Sequence, residues 1–371
     1  MTPIVSGLLV GALFGFALQR GRFCMNSAFR DIILGRDFTL FKALSVAILV
    51  EMIGFSILAL TGVITLAPKP LMWGANLVGG LVFGMGMVLA GGCASGITYR
   101  AGEGMMGALM AILGFGLAGM MTATGLLKPI SDYLQSTTKV MTADGKALTL
   151  ANIFGLDLKF TMLILAIIII GVWVVLAQRN KSAAQSFGEK PKSLGEAIFK
   201  KGWNWMPTGI VVGLIGMLAF PLSAAAGRNY PLGITGGWVN IFQSLIKWQA
   251  VVEEKVKVTA LSWEGAEVLG IVLGALVAAL IAGEFAIRAP EPKILLQTFV
   301  GGLLMGFGAS VSSGCNIGHI LSGVPQLSLG SILGGASIIL GGWTMAYFMF
   351  IRPMQDTGDS VPRKAVRHPA R

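Results

Sequence analysis

Charge is what this chain has least of. Of its 371 residues only 12% are Asp, Glu, Lys or Arg, against 54% hydrophobic residues, and mean hydropathy reaches +0.77. Such a balance excludes an ordinary water-soluble domain. The charges are missing in blocks: none occurs in 1–19, 71–99, 104–127, 160–178, 202–227 or 294–351. At roughly 20 residues per helical crossing each block is long enough to span a bilayer, and the last holds two helices and a turn. Two less pure segments, about 43–66 and 262–283, carry glutamate but are also long enough. About nine crossings are predicted.

Other absences narrow the class further. No ten-residue alternation of apolar and polar residues appears, so a membrane barrel is not expected. Helices are then the structure that satisfies its own backbone in lipid, and the fold class read here is an all-α polytopic membrane protein. No basic leader precedes the first apolar block and no Ala-x-Ala-like site follows it, so a cleaved signal peptide is not expected. The net charge of +11 is dispersed among the connections, which argues against a nucleic-acid partner. No cofactor is called for.

The dispersed basic residues indicate orientation. With the N-terminus outside and nine crossings, the inner segments would be about 20–42, 100–103, 179–201, 288–293 and the tail from 352, and these hold 19 of the 28 Lys and Arg. That asymmetry is the one expected of cytoplasmic loops. The patch Lys190, Lys192, Lys200 and Lys201 reads as a solvated cytoplasmic linker that can touch anionic membrane lipid.

The chain is internally repeated. Gly79-Gly80-Leu81, Gly84, Gly86 and Gly92-Cys93-Ala94-Ser95-Gly96 recur 222 residues later as Gly301-Gly302-Leu303, Gly306, Gly308 and Gly314-Cys315-Asn316-Ile317-Gly318. Ser6-Gly7-Leu8-Leu9-Val10-Gly11 resembles Thr208-Gly209-Ile210-Val211-Val212-Gly213, and Glu51-Met52-Ile53-Gly54 resembles Glu267-Val268-Leu269-Gly270. Gly21-Arg22 lines up with Gly227-Arg228, which sets Tyr230 opposite Cys24. Five crossings precede the central linker, an odd number, so the second copy enters the membrane inverted. The expected organisation is a first repeat with a joining helix over 1–178, a basic linker over 179–206, an inverted repeat over 207–351 and a cytoplasmic tail over 352–371. Inverted repeats set equivalent, oppositely directed elements about the bilayer midplane, where transport sites form from interrupted helices.

Cysteine is the second scarcity, with only three in the chain. Two of them, Cys93 and Cys315, occupy equivalent places in the repeat, and Cys24 follows the first hydrophobic segment in a similar polar break. Gly92, Gly96, Gly314 and Gly318 let the chain leave helical geometry and approach a ligand closely. A helix restarting after each cysteine would aim free N–H groups at the turn, where they attract anions. In apolar surroundings a thiol stays protonated and offers a weak S–H donor with a polarizable sulfur. Such groups suit a soft, sulfur-bearing solute, and Asn316 adds a polar contact beside them. His319 follows Cys315 by four residues, but one thiol and one imidazole make a thin metal set. No metal site and no catalytic residue is assigned.

Two features keep two readings. Arg20-Gly21-Arg22-Phe23-Cys24-Met25-Asn26 and Arg30 form either an ordinary basic flank of the first helix or an inner vestibule where Arg22, Asn26 or Arg30 steadies an anion near Cys24. Glu51 and Glu267 either brace loops or carry a proton coupled to transport.

Taken together, Arg22-Phe23-Cys24-Met25, Gly91-Gly92-Cys93-Ala94-Ser95-Gly96 and Ser313-Gly314-Cys315-Asn316-Ile317-Gly318-His319 resemble the three cysteine motifs of the YeeE/YedE sulfur-transport family. The resemblance implies a bacterial inner-membrane protein of hourglass shape with re-entrant turns, passing thiosulfate or a related anion along Cys315, Cys93 and Cys24. It also implies a small cytoplasmic sulfurtransferase of the TusA type as partner. The tail after Arg352 is short and polar, and no such domain is expected in it. Selenium-linked relatives leave the chalcogen open. A membrane-embedded thiol enzyme forming a cysteine persulfide, or a channel for another small solute, are the competing readings.

Overall fold

A computed structural model of the chain describes residues 2–179, 195–246 and 261–356. Among them nine helical stretches are long and apolar enough to cross a membrane, beginning with Pro3–Gly35 and ending with Leu329–Gln355. The two crossings that carry glutamate are both present, as Thr39–Leu60 with Glu51 and Trp263–Ala282 with Glu267. The protein is an all-α polytopic membrane protein. Lys190 and Lys192 of the basic patch lie outside the described residues.

In chain order the helices are α1 (Pro3–Arg20), α2 (Met25–Gly35), α3 (Thr39–Leu60), α4 (Trp73–Leu89), α5 (Ala94–Gly102), α6 (Met106–Ala123), α7 (Lys128–Thr137) and the single turn α8 (Leu150–Ile153). They continue with α9 (Leu158–Arg179), α10 (Trp205–Ala225), α11 (Thr235–Ile246), α12 (Trp263–Ala282), α13 (Pro292–Val311) and α14 (Leu329–Ala346). A π-helical turn, Ile317–Leu321, stands between the last two. Beta structure among the described residues is confined to the antiparallel pair Leu71–Met72 with Lys139–Val140 and to isolated bridges.

Packing follows the repeat. α1 lies on α12 as α10 lies on α3, and α6 lies on α13 as α14 lies on α4. Small residues make these approaches close. A Cβ at Gly7 or Gly11 would strike the α12 backbone at Trp263 and Glu267, and one at Gly209 or Gly213 would strike α3 at Ala43 and Ala47. Without a hydrophobic force between helices in lipid, such close backbone contact is the principal source of association. α9 has no partner of this kind. Only 11% of its apolar stretch is buried, Met162 and Ala166 face α3, and Ile164, Ile167, Ile168 and Val172 point outward. It is apolar all round and suited to lipid.

Candidate functional site

All three cysteines sit where a helix restarts. Cys24 immediately precedes α2 and Cys93 immediately precedes α5, both in extended backbone, while Cys315 stands two residues before the π-helical turn. Each is reached through a residue with positive φ two positions earlier: Arg22 at 48°, Gly91 at 70° and Ser313 at 60°. Arg22 and Ser313 adopt a left-handed conformation that disfavours L-residues, so the surrounding packing must hold it. The thiols are 1%, 0% and 1% exposed respectively.

The turns before α2 and α5 meet. Cys24 Sγ donates to Cys93 Sγ at 3.6 Å, and Cys93 Sγ accepts from the Gly96 amide at 3.3 Å and lies 3.4 Å from Ser95 Oγ. Gly96 leaves the space between the thiols open: a Cβ there would stand 2.7 Å from Cys24 Sγ and 3.3 Å from Cys93 Sγ. Close approach is therefore why position 96 is glycine.

Asn316, itself fully buried, ties the third turn to the first two. Its Oδ1 accepts from the Ala94 amide at 3.3 Å and its Nδ2 donates to Met25 Sδ at 3.2 Å. The Ala94 and Asn316 positions are the repeat equivalents 222 residues apart, so this bond runs between matching places in the two copies. Asn26 Oδ1 is buried beside the same turns and has no partner among the described residues.

Cys315 faces a cavity of about 360 Å³. Lys69, Arg228, Tyr230, Thr235, Glu264 and Ser313 line it, together with Gly314 and Gly318. Lys69 Nζ donates to the Ser313 carbonyl at 2.5 Å and lies 4.9 Å from the Tyr230 ring centre, while Tyr230 OH donates to the Gly318 carbonyl at 2.6 Å. Arg228 pairs with Glu264 at 2.5 Å. Thr235 Oγ1 is buried with no partner among the described residues. His319 Nε2 lies 2.9 Å from the Ser312 carbonyl.

At the Cys24 end the charges are mutually engaged. Arg22 pairs with Glu103 at 3.2 Å and Glu284 at 2.8 Å, Arg20 also pairs with Glu284, and Gln19 donates to both carboxylates. Partial burial by itself would raise the Glu284 carboxyl; the Gln19 hydrogen bond and the charges of Arg22 and Arg20 outweigh it and hold the group below its ordinary value. Arg30 is taken by Asp31 at 2.8 Å. Of the three side chains considered for an inner vestibule, Asn26 is thus the one with unused hydrogen-bonding capacity.

Of the residues read from the sequence, Cys24, Cys93, Gly96 and Asn316 come together, Cys315, Gly314 and Gly318 line the adjoining cavity, and Gly92 lies beside Arg100. Arg22 belongs to the ion-pair cluster. The structural counterpart of Cys24 is Ile234, which directly precedes α11, rather than Tyr230; the longer loop after α10 carries Tyr230 to the Cys315 cavity instead. Lys69, Arg100, Glu103 and Glu284 also stand at these turns, and the sequence reading does not single them out. The signal for Lys69 was available: it is the only basic residue between Lys42 and Arg100.

A family model described as sulphur transport matches residues 20–344. Among curated proteins, "Thiosulfate transporter TsuA" of Spirochaeta thermophila is 42% identical over 94% of this chain and all of its own length. "Thiosulfate transporter TsuA" of Escherichia coli is 35% identical over 95% of this chain and 96% of its own. "Probable transporter YedE" of Salmonella typhimurium is 41% identical across 100 residues, 27% of this chain and 24% of that protein.

Proposed function

Because the chain belongs to the sulphur transport family, we propose that it takes up thiosulfate across the bacterial inner membrane, passing it along Cys315, Cys93 and Cys24. The single observation that carries this reading is the Cys24–Cys93 contact at 3.6 Å, tied through Asn316 to the turn of Cys315. The near full-length likeness to two proteins named thiosulfate transporters supports the choice of anion.

The anion enters the cavity beneath Lys69 from the outer side, with the N-terminus of the protein also outside and its C-terminus in the cytoplasm. Lys69 and Arg228 supply positive charge there, and Cys315 offers its S–H to the terminal sulfur. Cys93 and Cys24 then accept the ion in turn. No covalent step is needed. Weak, successive contacts favour passage, because an ion held firmly at any one of them would not leave. On leaving past Cys24 the ion reaches a cytoplasmic sulfurtransferase of the TusA type.

Uptake of ³⁵S-thiosulfate by cells lacking other importers tests the reading. Cys93→Ala should abolish it, and undiminished uptake at normal expression overturns the proposal. Mass spectrometry of protein exposed to thiosulfate separates transport from persulfide chemistry, since only the latter adds sulfur to a cysteine. Competition by selenium oxyanions measures how strictly sulfur is required.

A further inference from the structure

The turns before Cys93 and Cys315 share a feature that the repeat in the sequence does not contain. Arg100 Nη1 donates to the Gly91 carbonyl at 2.5 Å, and Lys69 Nζ donates to the Ser313 carbonyl at 2.5 Å. Gly91 and Ser313 are equivalent positions, 222 residues apart, and both have positive φ. The two cations are not equivalent in sequence. Arg100 follows its turn on α5, whereas Lys69 comes from the loop before α4, far from Ser313 along the chain. Each also lies against a tyrosine ring, Arg100 at 5.8 Å from Tyr99 and Lys69 at 4.9 Å from Tyr230. Two unrelated stretches of chain have arrived at one arrangement: a cation on the carbonyl two residues before a buried thiol, beside an aromatic face.

The Lys69 end opens onto space. Lys69 and Ser313 belong at once to the Cys315 cavity and to a second cavity of about 500 Å³, whose other lining includes Asp132, Gln135 and Lys139. The ammonium therefore stands where the two cavities share a wall. It is close enough to Gly314 and Gly318 that a Cβ on either would meet Nζ, at 2.5 Å and 3.1 Å. Arg100 stands at the far end of the same span, Trp73–Gly102, from the loop that carries Lys69.

We propose that Lys69 and Arg100 are a matched pair of anion-positioning cations, one on the turn of Cys315 and one on the turn of Cys93, each resting on a turn carbonyl that an oxyanion displaces. The proposal rests on the transport reading, gives Lys69 a defined task within it and adds Arg100. A carbonyl is a weaker partner for a cation than an oxyanion is, so the resting contact keeps the charge aimed without satisfying it fully. The two residues then differ in task. Lys69 is a compact charge on a flexible stem that can follow an ion from one cavity to the next, and Arg100 is a rigid planar fork better suited to a fixed site. Lys69 accordingly governs capture and Arg100 governs release.

The experiment is labelled-thiosulfate uptake into proteoliposomes holding full-length protein oriented as in cells, with initial rates over a range of concentrations. Lys69→Gln should raise KM by about tenfold or more with maximal rate retained, the scale of one charge-assisted hydrogen bond. Lys69→Arg should keep KM within about threefold, since one hydrogen bond from a cation needs no fork geometry. Arg100→Gln should lower maximal rate and leave KM near the wild-type value. An unchanged KM in Lys69→Gln, or a loss of maximal rate alone in that variant, overturns the assignment even though the wild type transports. Titration of purified protein with thiosulfate and with sulfate is the second arm. Weaker binding of both by Lys69→Gln supports the cation's role even if the wild type imports no thiosulfate, and equal binding by the two proteins refutes it.

Discussion

The backbone amide of Ala94 donates to Asn316 Oδ1 across 3.3 Å, joining equivalent positions of the two repeats. In a fully symmetric molecule the amide at 316 would meet a side chain at 94. Alanine cannot provide it, so the tie is one-sided, and the same Asn316 spends its amide nitrogen on Met25. One side chain thus fixes the relative positions of three turns, each bearing a cysteine.

Asn316→Ala should therefore cost more than a single contact. It leaves the buried Ala94 N–H without its partner, a loss of about 1–3 kcal/mol, and it frees the Cys315 turn from the other two. Thermal unfolding in detergent should show a lower midpoint, and uptake should fall further than the unfolded fraction accounts for. Uptake equal to wild type would show that the turns keep register without the tie.

Cys24 and Cys93 are close enough to be joined by a two-electron oxidant. Membranes treated with iodine should convert the two thiols to a disulfide, with iodide and protons released, and lose uptake until dithiothreitol restores it. Peptide mapping should find Cys24 linked to Cys93 with Cys315 still free. The Cys24→Ser protein should give no such link.

Gly96→Ala places a methyl group 2.7 Å from Cys24 Sγ and 3.3 Å from Cys93 Sγ. Crowding of this kind costs about 1–3 kcal/mol in a packed interior, and here it also fills the space between two stations. Uptake should drop by about tenfold or more, the factor that about 1.4 kcal/mol represents. Gly171→Ala on α9, where an added Cβ meets nothing within 4 Å, should leave uptake and stability unchanged.

The two intramembrane glutamates should respond oppositely to replacement by methionine. Both oxygens of Glu51 are buried without a hydrogen-bond partner among the described residues, whereas Glu267 accepts from the Gly233 amide at 3.3 Å and 3.2 Å through its two oxygens. Glu51→Met removes an uncompensated polar group and should raise the unfolding midpoint. Glu267→Met strands the Gly233 N–H and should lower stability by about 1–3 kcal/mol. A fall in uptake by Glu51→Met at raised stability would mark that carboxyl as a proton carrier.

External pH should act through Lys69. Burial pulls its ammonium down to about 8, with the Arg228 charge adding to the shift and the Glu264 carboxylate opposing it. A depressed lysine is charged below that value and neutral above it. KM for thiosulfate should therefore rise as external pH passes upward through about 8, and Lys69→Arg, which stays charged, should flatten the profile.

The hydrophobic blocks, the nine crossings and the cysteine repeat were legible because each is a property of the chain read in order: length without charge, and recurrence at a fixed offset. The helix start at Cys93 was legible too, since a glycine-rich turn between apolar segments announces it. Which turns touch was not. The Cys24–Cys93 contact, the Asn316 tie and the seating of Lys69 on Ser313 join residues 69, 222 and 244 positions apart. Only the packing of α1 on α12 and of α4 on α13 and α14 brings such positions together. The same packing overruled the alignment of Tyr230 with Cys24, because the loop after α10 is longer than the one after α1 and its extra residues reach another turn. Arg22 likewise reads as a free vestibule charge until Glu103 and Glu284, from two other connections, are folded against it. The sequence by itself determined that the chain is a duplicated membrane protein with thiols in its turns; the tertiary structure decided which thiols touch and which cations lie on their turns, because close packing, not order along the chain, sets distances of 3 Å.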